Sequence, residues 1–134
     1  MNIVWLPSFE TGIADIDDDH RELVEVAQKI EKTLARGDVS MCLTLFHEFM
    51  EQAARHFEKE EIFLKSVDFP RLESHRAAHL RLLEMGKEAL KTVEADHGHE
   101  AARKCLEEII FFLLEDVIKA DAEFKSYAQK KGLI

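Results

Sequence analysis

Residues 56–79 read HFEKEEIFLKSVDFPRLESHRAAH and contain two pairs of potential metal ligands, one on each side of a proline turn. His56 and Glu60 are four residues apart, and so are His75 and His79. Side chains at this spacing lie on one face of a helix, one turn from each other. Each pair is therefore placed to bind one ion if the flanking segments are helical.

The apolar residues on both sides of this stretch recur at intervals of three and four, which is the helical period, and nowhere alternate as they do in a strand. Gly37, the turn at 68–70 and the polar loop at 96–99 interrupt the pattern. These positions divide the chain into four segments. The predicted helices span about residues 17–36, 39–65, 70–94 and 99–130.

Short connections usually join helices that pack as antiparallel neighbours. We therefore expect an all-α protein, an antiparallel up-down-up-down four-helix bundle. Residues 1–16 contain a proline and a glycine and lack the helical period, which predicts an extended N-terminal arm anchored by Trp5 and Phe9. The length of 134 residues fits one domain with its own core, so we predict a single domain over residues 1–134.

The composition argues against several classes of partner. The formal net charge is −9, and an acidic surface repels nucleic-acid phosphates and anionic lipid headgroups. No segment reaches the roughly 18 apolar residues of a spanning helix, and the N-terminus lacks a signal-peptide pattern. We expect a cytoplasmic protein that binds neither nucleic acid nor membranes. Cys42 and Cys105 belong to no CxxC pair and are expected to be reduced core residues.

Ionisable residues at core positions are the most informative feature of the predicted helices. His20 on the first helix adds to the two pairs described above, and Asp116 and Asp121 flank the core face of the fourth helix. A buried charge without a partner is costly, so such residues need a reason to be there. Imidazole and carboxylate ligands without thiolates suit iron, manganese or zinc, and bridging carboxylates commonly hold two irons close together. A pair of iron ions is the favoured interpretation.

Three other histidines are kept apart from this set. His47 falls off the core face of the second helix, and His97 and His99 lie in the polar loop before the fourth. We expect none of them to bind metal.

The two aspartates of the fourth helix are not placed to bind the same ion. Asp116 and Asp121 are five residues apart, which corresponds to about 140° around a helix axis. This separation is too large for both to bind one ion but is compatible with two ions.

The pattern resembles the hemerythrin family, in its bacterial form, over nearly the whole chain. The beginning of the chain looks like the opening of a bacterial hemerythrin, and the second and third helices carry segments similar to the family motifs. The residues that carry the resemblance are Trp5, Thr11-Gly12-Ile13, Ile16-Asp17, His20, the segment HFEKEE at 56–61, His75 with His79, and Asp121.

The resemblance implies a centre of two iron ions, oxo- or hydroxo-bridged when oxidised. Each iron would have two histidine ligands from this set, and two carboxylates would bridge both ions. Carried over by position, the ligands are His20 and His56 on one iron, His75 and His79 on the other, and Glu60 and Asp121 as the bridges.

The sequence departs from the family on the fourth helix. The family normally has a tryptophan, a histidine four residues later and the aspartate five residues after that, whereas this chain has Phe112, Asp116 and Asp121. Asp116 thus replaces the fifth histidine and adds one negative charge to the site, which favours ferric iron. Direct ligation by Asp116 and contact through a water molecule are both open.

The resemblance implies dioxygen as the ligand, at an iron facing an apolar pocket that we expect to be lined by Leu23, Phe57, Phe112 and Val117. The additional negative charge favours one-way oxidation, so we expect an oxygen or redox sensor. Bacterial hemerythrin-like domains occur fused to signalling outputs such as diguanylate cyclases and chemotaxis receptors, which supports this expectation. We expect no enzymatic turnover by the domain itself.

Other functions are weighed beside the sensor. A freestanding oxygen carrier or storage protein is the main alternative, and it requires reversible oxygen binding. A phosphotransfer bundle requires an exposed reactive histidine, whereas the four histidines of the site are predicted to converge inside. A zinc-stabilised bundle and an interaction bundle without metal are the remaining alternatives.

Overall fold

The structure, a computed structural model, consists of helices joined by short connections. It describes the backbone of residue 5 and of residues 9–95 and 99–133, and in the last helix the side chains at 99, 101, 102, 112 and 115–122 lie outside the described residues. The helices are α1 (Ala14–Ala35), α2 (Val39–Ser66), α3 (Leu72–Ala95) and α4 (His99–Lys130). Within these residues there is no strand, which confirms the all-α class, and no helix is long and apolar enough to cross a membrane.

The start of α1 differs most from the boundaries expected from the spacing. The helix begins at Ala14, not near residue 17, so the last three residues of the predicted arm, 1–16, are helical. Residues 1–4 and 6–8 of this arm lie outside the described residues. The rings of Trp5 and Phe9 pack edge to face with centroids 5.6 Å apart, and both are partly buried against the core.

Asp17 explains why α1 starts early. Its carboxylate accepts hydrogen bonds from the backbone N–H and the hydroxyl of Thr11, at 2.7 and 2.9 Å, and from the backbone N–H of Gly12 at 3.1 Å. Gly12 has a φ of +90°, a left-handed conformation that favours glycine. Asp17 and Thr11 are both buried. Asp17 therefore attaches the preceding segment to the first turn of α1. The spacing predicted that the helix begins at this residue, three positions after its actual start.

The helices pack side by side in chain order, and α1 also contacts α4, so the contacts close a ring. Contacts between polar side chains join the beginning of one helix to the end of the next. His47 in α2 lies 3.2 Å from Glu94 in α3, and Arg71, just before α3, lies 2.8 Å from Glu123 in α4. This pairing is the one expected for the predicted antiparallel order.

The predicted ligands lie between two clusters of buried apolar side chains. Along α1, Ile16 belongs to the smaller cluster and Leu23 to the larger one, with His20 between them. Along α2, Ala53 in the larger cluster and Leu64 in the smaller one lie on either side of the ligand pair. Close-packed apolar layers leave few spaces for water. The ionisable residues therefore form one polar layer between two apolar ones.

The connection between α2 and α3 is attached to the end of α4. Asp68 in this connection has a φ of +56°, the left-handed conformation that often ends a helix. The hydroxyl of Tyr127 donates to the carbonyl oxygens of Val67 and Asp68, at 2.7 and 3.2 Å. These bonds hold together the helix ends nearest the polar layer.

Candidate metal centre

Five of the predicted ligands come together between α1, α2 and α3. Each of them is 5% exposed or less. Among the described residues they form two groups of three, and within each group one ligand atom from every residue lies within 4.8 Å of the others. One group is His20, His56 and Glu60, and the other is Glu60, His75 and His79. The two groups share Glu60.

The two carboxylate oxygens of Glu60 face different histidines. Oε2 lies 2.9 Å from Nε2 of His56, whereas Oε1 lies 2.5 Å from Nε2 of His75 and 3.5 Å from Nε2 of His79. Each of these contacts uses the Nε2 atom of the histidine. With one oxygen directed to each group, Glu60 has the arrangement of a carboxylate that bridges two ions.

The surroundings of Glu60 fit a cation. No lysine or arginine forms an ion pair with Glu60 within the part of the chain that the structure describes. In the same part of the chain, its buried Oε2 atom accepts no hydrogen bond, because the 2.9 Å contact with Nε2 of His56 lacks the geometry of one. Buried polar atoms are normally satisfied, and a buried carboxylate without a cation is costly. A metal ion between Glu60 and the imidazole nitrogens would meet both needs.

Asp19 belongs to the site but was not among the predicted ligands. Its Oδ2 lies 3.1 Å from Nδ1 of His56, and its two oxygens accept hydrogen bonds from Nζ of Lys59 at 3.4 and 3.2 Å. Burial raises the pKa of the Asp19 carboxyl, but the hydrogen bonds from His56 and Lys59 outweigh this and lower the pKa below its ordinary value of 3.8. Asp19 therefore faces His56 as a carboxylate.

The spacing gave no signal for this role. Asp19 immediately precedes His20 in the sequence Asp17-Asp18-Asp19, and acidic residues in such a run are typical of the first turn of a helix. Its contact is with a residue 37 positions later in the sequence. Spacing within one helix cannot reveal a pair that forms between two helices.

The expected oxygen pocket is described in part. Leu23 and Phe57 are buried in the larger apolar cluster. The ring of Phe57 stacks on that of His79, with centroids 3.9 Å apart and an angle of 4° between the planes. The side chains of Phe112 and Val117 lie outside the described residues, and their contribution to the pocket stays a prediction.

The metal binding expected of the two aspartates on α4 also stays a prediction. The backbone at Asp116 and Asp121 belongs to α4, but both side chains lie outside the described residues. Of the histidines that were kept apart, His47 is exposed, contacts Glu94 and is in neither group. His97 lies outside the described residues, and only the backbone of His99 is described.

A comparison of the sequence with protein families agrees with this geometry. The profile described as "Hemerythrin HHE cation binding domain" matches residues 11–127. This range contains all five converging ligands as well as Asp116 and Asp121. The chain belongs to the hemerythrin family. The resemblance of the motifs to this family is thereby confirmed.

Curated hemerythrin relatives cover most of the chain. The bacteriohemerythrin of Clostridium acetobutylicum is 27% identical over 126 residues, which cover 90% of this chain and 97% of the relative. A bacteriohemerythrin of Campylobacter jejuni is 24% identical over 118 residues, which cover 87% of each chain.

The hemerythrin domain is a di-iron site, and this supports the predicted cofactor of two iron ions. His20, His56 and Glu60 would hold one ion, and Glu60, His75 and His79 the other. Bound iron supplies redox chemistry and a site for dioxygen. The family, its bacterial relatives and the cluster of histidines around Glu60 together support an iron-containing, oxygen-binding domain.

Proposed function

We propose that this hemerythrin-like domain is an oxygen or redox sensor, in which oxidation of the iron centre by dioxygen is the signal. The observation that carries the proposal is Asp116, which occupies the position where the family normally has its fifth histidine. A carboxylate in place of an imidazole adds a negative charge, which stabilises ferric relative to ferrous iron. Oxidation then becomes difficult to reverse, which suits a sensor better than a carrier.

The environment of the centre supports this argument. The described ligands are buried between two apolar clusters, and Phe57 covers one face of His79. Electrostatic effects are stronger where water is excluded than at the surface. A single additional charge in this layer would therefore shift the balance between the two iron oxidation states more than the same charge on the surface.

A sensor also needs an output. We propose a fused or associated signalling domain, such as a diguanylate cyclase, in the bacterial cytoplasm. Asp116 and Asp121 belong to α4, so a change at an iron centre that they bind would act on this helix as well as on α1, α2 and α3. The domain itself would perform no catalytic turnover, and any enzymatic reaction would belong to the output.

A freestanding oxygen carrier or storage protein is the second candidate. It is favoured by the relative from Clostridium acetobutylicum, because the aligned segment makes up 97% of that protein. A carrier would have to release oxygen unchanged. The two candidates therefore differ in whether the reaction with oxygen is reversible.

The first experiment measures the iron content and the visible absorption spectrum while air is admitted to the anaerobically reduced protein. We expect about two iron ions per chain and absorption bands that persist after oxygen is removed. Bands that vanish when oxygen is removed would favour the carrier. Full-length protein without iron would contradict both candidates.

Replacing the unusual aspartate tests the charge argument directly. We expect the Asp116→His variant to oxidise more slowly in air, because the substitution removes a negative charge from the centre. The rate is followed by visible absorption after mixing with air, and Glu115→Gln, which removes a charge at the neighbouring position, is the control. An equal or faster rate in Asp116→His would show that the charge argument is wrong.

A further inference from the structure

His56 and His79, one from each ligand group, differ in what lies beside their Nδ1 atoms among the described side chains. In the first group, Nδ1 of His56 lies 3.1 Å from a carboxylate oxygen of Asp19. In the second group, Nδ1 of His79 lies 3.8 Å from a carboxylate oxygen of Glu61, too far for a hydrogen bond. The buried Nδ1 of His79 has no hydrogen-bond partner among the residues whose side chains are described. His79 is instead packed against the ring of Phe57.

The two outer carboxylates are also held differently. Lys59 donates to both oxygens of Asp19, which fixes the carboxylate beside His56. Among the described side chains, the cation that contacts Glu61 is Arg76, whose Nε lies 3.6 Å from Oε1. Glu61 is therefore farther from its histidine and from its cation than Asp19 is from His56 and Lys59. The difference between the groups extends from the histidine to the cation behind it.

Asp19 lies at the border between the buried layer and solvent. Its side chain is 22% exposed, whereas that of His56 is 2% exposed. A cavity of about 230 Å³ opens to the surface beside this contact, and its walls include Asp19, His56 and Lys59. An exposed pair such as Asp19 with Lys59 contributes little to stability by itself. The contact of Asp19 with the buried ligand His56 is therefore the interaction that needs a functional explanation.

We propose that Asp19 is a positioning residue for one of the two metal ions. A carboxylate that accepts a hydrogen bond from Nδ1 of a histidine fixes the ring and its tautomer, and it makes Nε2 a stronger donor to a metal. Nε2 of His56 is the atom that faces Glu60. Asp19 therefore strengthens the binding of the ion held by His20, His56 and Glu60. The inference rests on the metal centre and is independent of the sensor role.

The test is an anaerobic titration of the metal-free protein with Co²⁺, a probe whose visible bands report nitrogen and oxygen ligands. The unaltered protein should bind two equivalents. In Asp19→Ala, one of the two equivalents should weaken by 10- to 100-fold, the usual effect of removing such a partner. The second equivalent should change by less than about threefold, because His79 has no comparable contact.

Glu61→Ala is the matched control, since it removes the corresponding carboxylate from the second group. Both equivalents should bind as in the unaltered protein. Asp19→Asn should recover most of the affinity lost in Asp19→Ala, because an amide oxygen still accepts a hydrogen bond from Nδ1. Asp19→Ser is too short to reach His56 and should behave like Asp19→Ala. The asparagine and serine variants also supply the comparison if the alanine variant does not fold.

Proton NMR of the Co²⁺-loaded protein gives a signature that a purely structural role would not change. The Nδ1 proton of a cobalt-bound histidine gives a strongly shifted resonance that is lost when the proton exchanges quickly with water. We expect the resonance of His56 to exchange much faster in Asp19→Ala, and that of His79 to be unaffected.

Three outcomes would overturn the proposal. In the first, Asp19→Ala binds both equivalents unchanged. In the second, it weakens both equally. In the third, Glu61→Ala causes the same selective loss as Asp19→Ala. Failure of the unaltered protein to bind two equivalents would overturn the two-ion centre itself, whereas reversible oxygen binding would overturn only the sensor role.

Discussion

Glu60 is a carboxylate enclosed by imidazole rings in the interior of the protein. It is 1% exposed, and its oxygens lie within 3.5 Å of His56, His75 and His79. Without a metal ion, this arrangement buries an acidic group with little compensation. At the scale of single residues, removing the charge of Glu60 should therefore weaken metal binding without lowering the stability of the metal-free protein.

We expect Glu60→Gln to lose most of the bound iron, from about two ions per chain to fewer than one, because an amide is a poor bridging ligand. The metal-free variant should be at least as stable as the metal-free unaltered protein, since a buried acidic group is removed. Iron analysis and thermal unfolding with a chelator measure the two effects. Glu58→Gln, at an exposed position of α2, is the control. Full iron content in Glu60→Gln would remove this residue from the site.

The two cysteines should differ in reactivity. Burial, with a smaller effect of Asp38, raises the pKa of the Cys42 thiol to about 12, so at pH 8 almost none is the reactive thiolate. Cys105 is only partly buried. Iodoacetamide should modify Cys105 first in the native protein, and Cys42 only after unfolding. Mass spectrometry of the digested protein measures this order, and equal labelling of both residues in the native protein would contradict it.

Among the elements, the helical period predicted the four α-helices that the described residues form. It failed at the start of α1 because the beginning of a helix depends on the segment before it. The bonds from Thr11 and Gly12 to Asp17 involve irregular backbone that has no period. The spacing predicted a helix that begins near residue 17, whereas Asp17 lies in the first turn of a helix that begins at Ala14.

The same bonds give a prediction for α1. Asp17→Ala should lower the free energy of unfolding by about 2 kcal/mol, because buried donors of Thr11 lose a charged acceptor. Asp18→Ala, at the exposed neighbouring position, should change it by less than about 0.5 kcal/mol. Urea unfolding of the metal-free proteins measures both values. Similar values for the two variants would show that Asp17 is not the anchor.

The end of α2 gives a second prediction for the elements. Asp68 is exposed and has a φ of +56°, which β-branched residues rarely adopt. Asp68→Val should cost about 1–2 kcal/mol through backbone strain alone. Asp68→Gly relieves the strain and should lie within about 0.5 kcal/mol of the unaltered protein. If thermal unfolding shows equal stability for the two variants, backbone conformation is not limiting at this position.

At the scale of the whole molecule, the sequence predicted five residues of the polar layer but neither the place of Asp19 nor the contacts that these residues make. His20, His56 and His75 could be placed on core faces because each helix has a regular period. The contact of Asp19 with His56, and the stacking of Phe57 on His79, depend on the rotation and separation of neighbouring helices. Spacing within one helix contains no information about either quantity.

The polar layer also makes stability depend on metal across the whole molecule. Iron at about 100 times its dissociation constant should stabilise the folded state by about 2.7 kcal/mol, because the unfolded chain has no assembled site. For a domain of this size this corresponds to a rise in Tm of about 10 °C. Anaerobic calorimetry with and without Fe²⁺ measures the difference. The Glu60→Gln variant should show almost none, and an equal shift in that variant would indicate binding elsewhere.

The hydrogen bonds of Tyr127 have a consequence for the order in which the protein is made. They join residues 60 and 59 positions apart, from the connection after α2 to the last turns of α4. Domains assemble as the chain emerges from the ribosome, and here the connection between α2 and α3 acquires this partner only after α4 has been synthesised as far as Tyr127. The positions of the ligand pairs on the two sides of that connection are therefore fixed only after α4 has joined the bundle. Iron should enter the bundle at that stage, and not a partly formed bundle without α4.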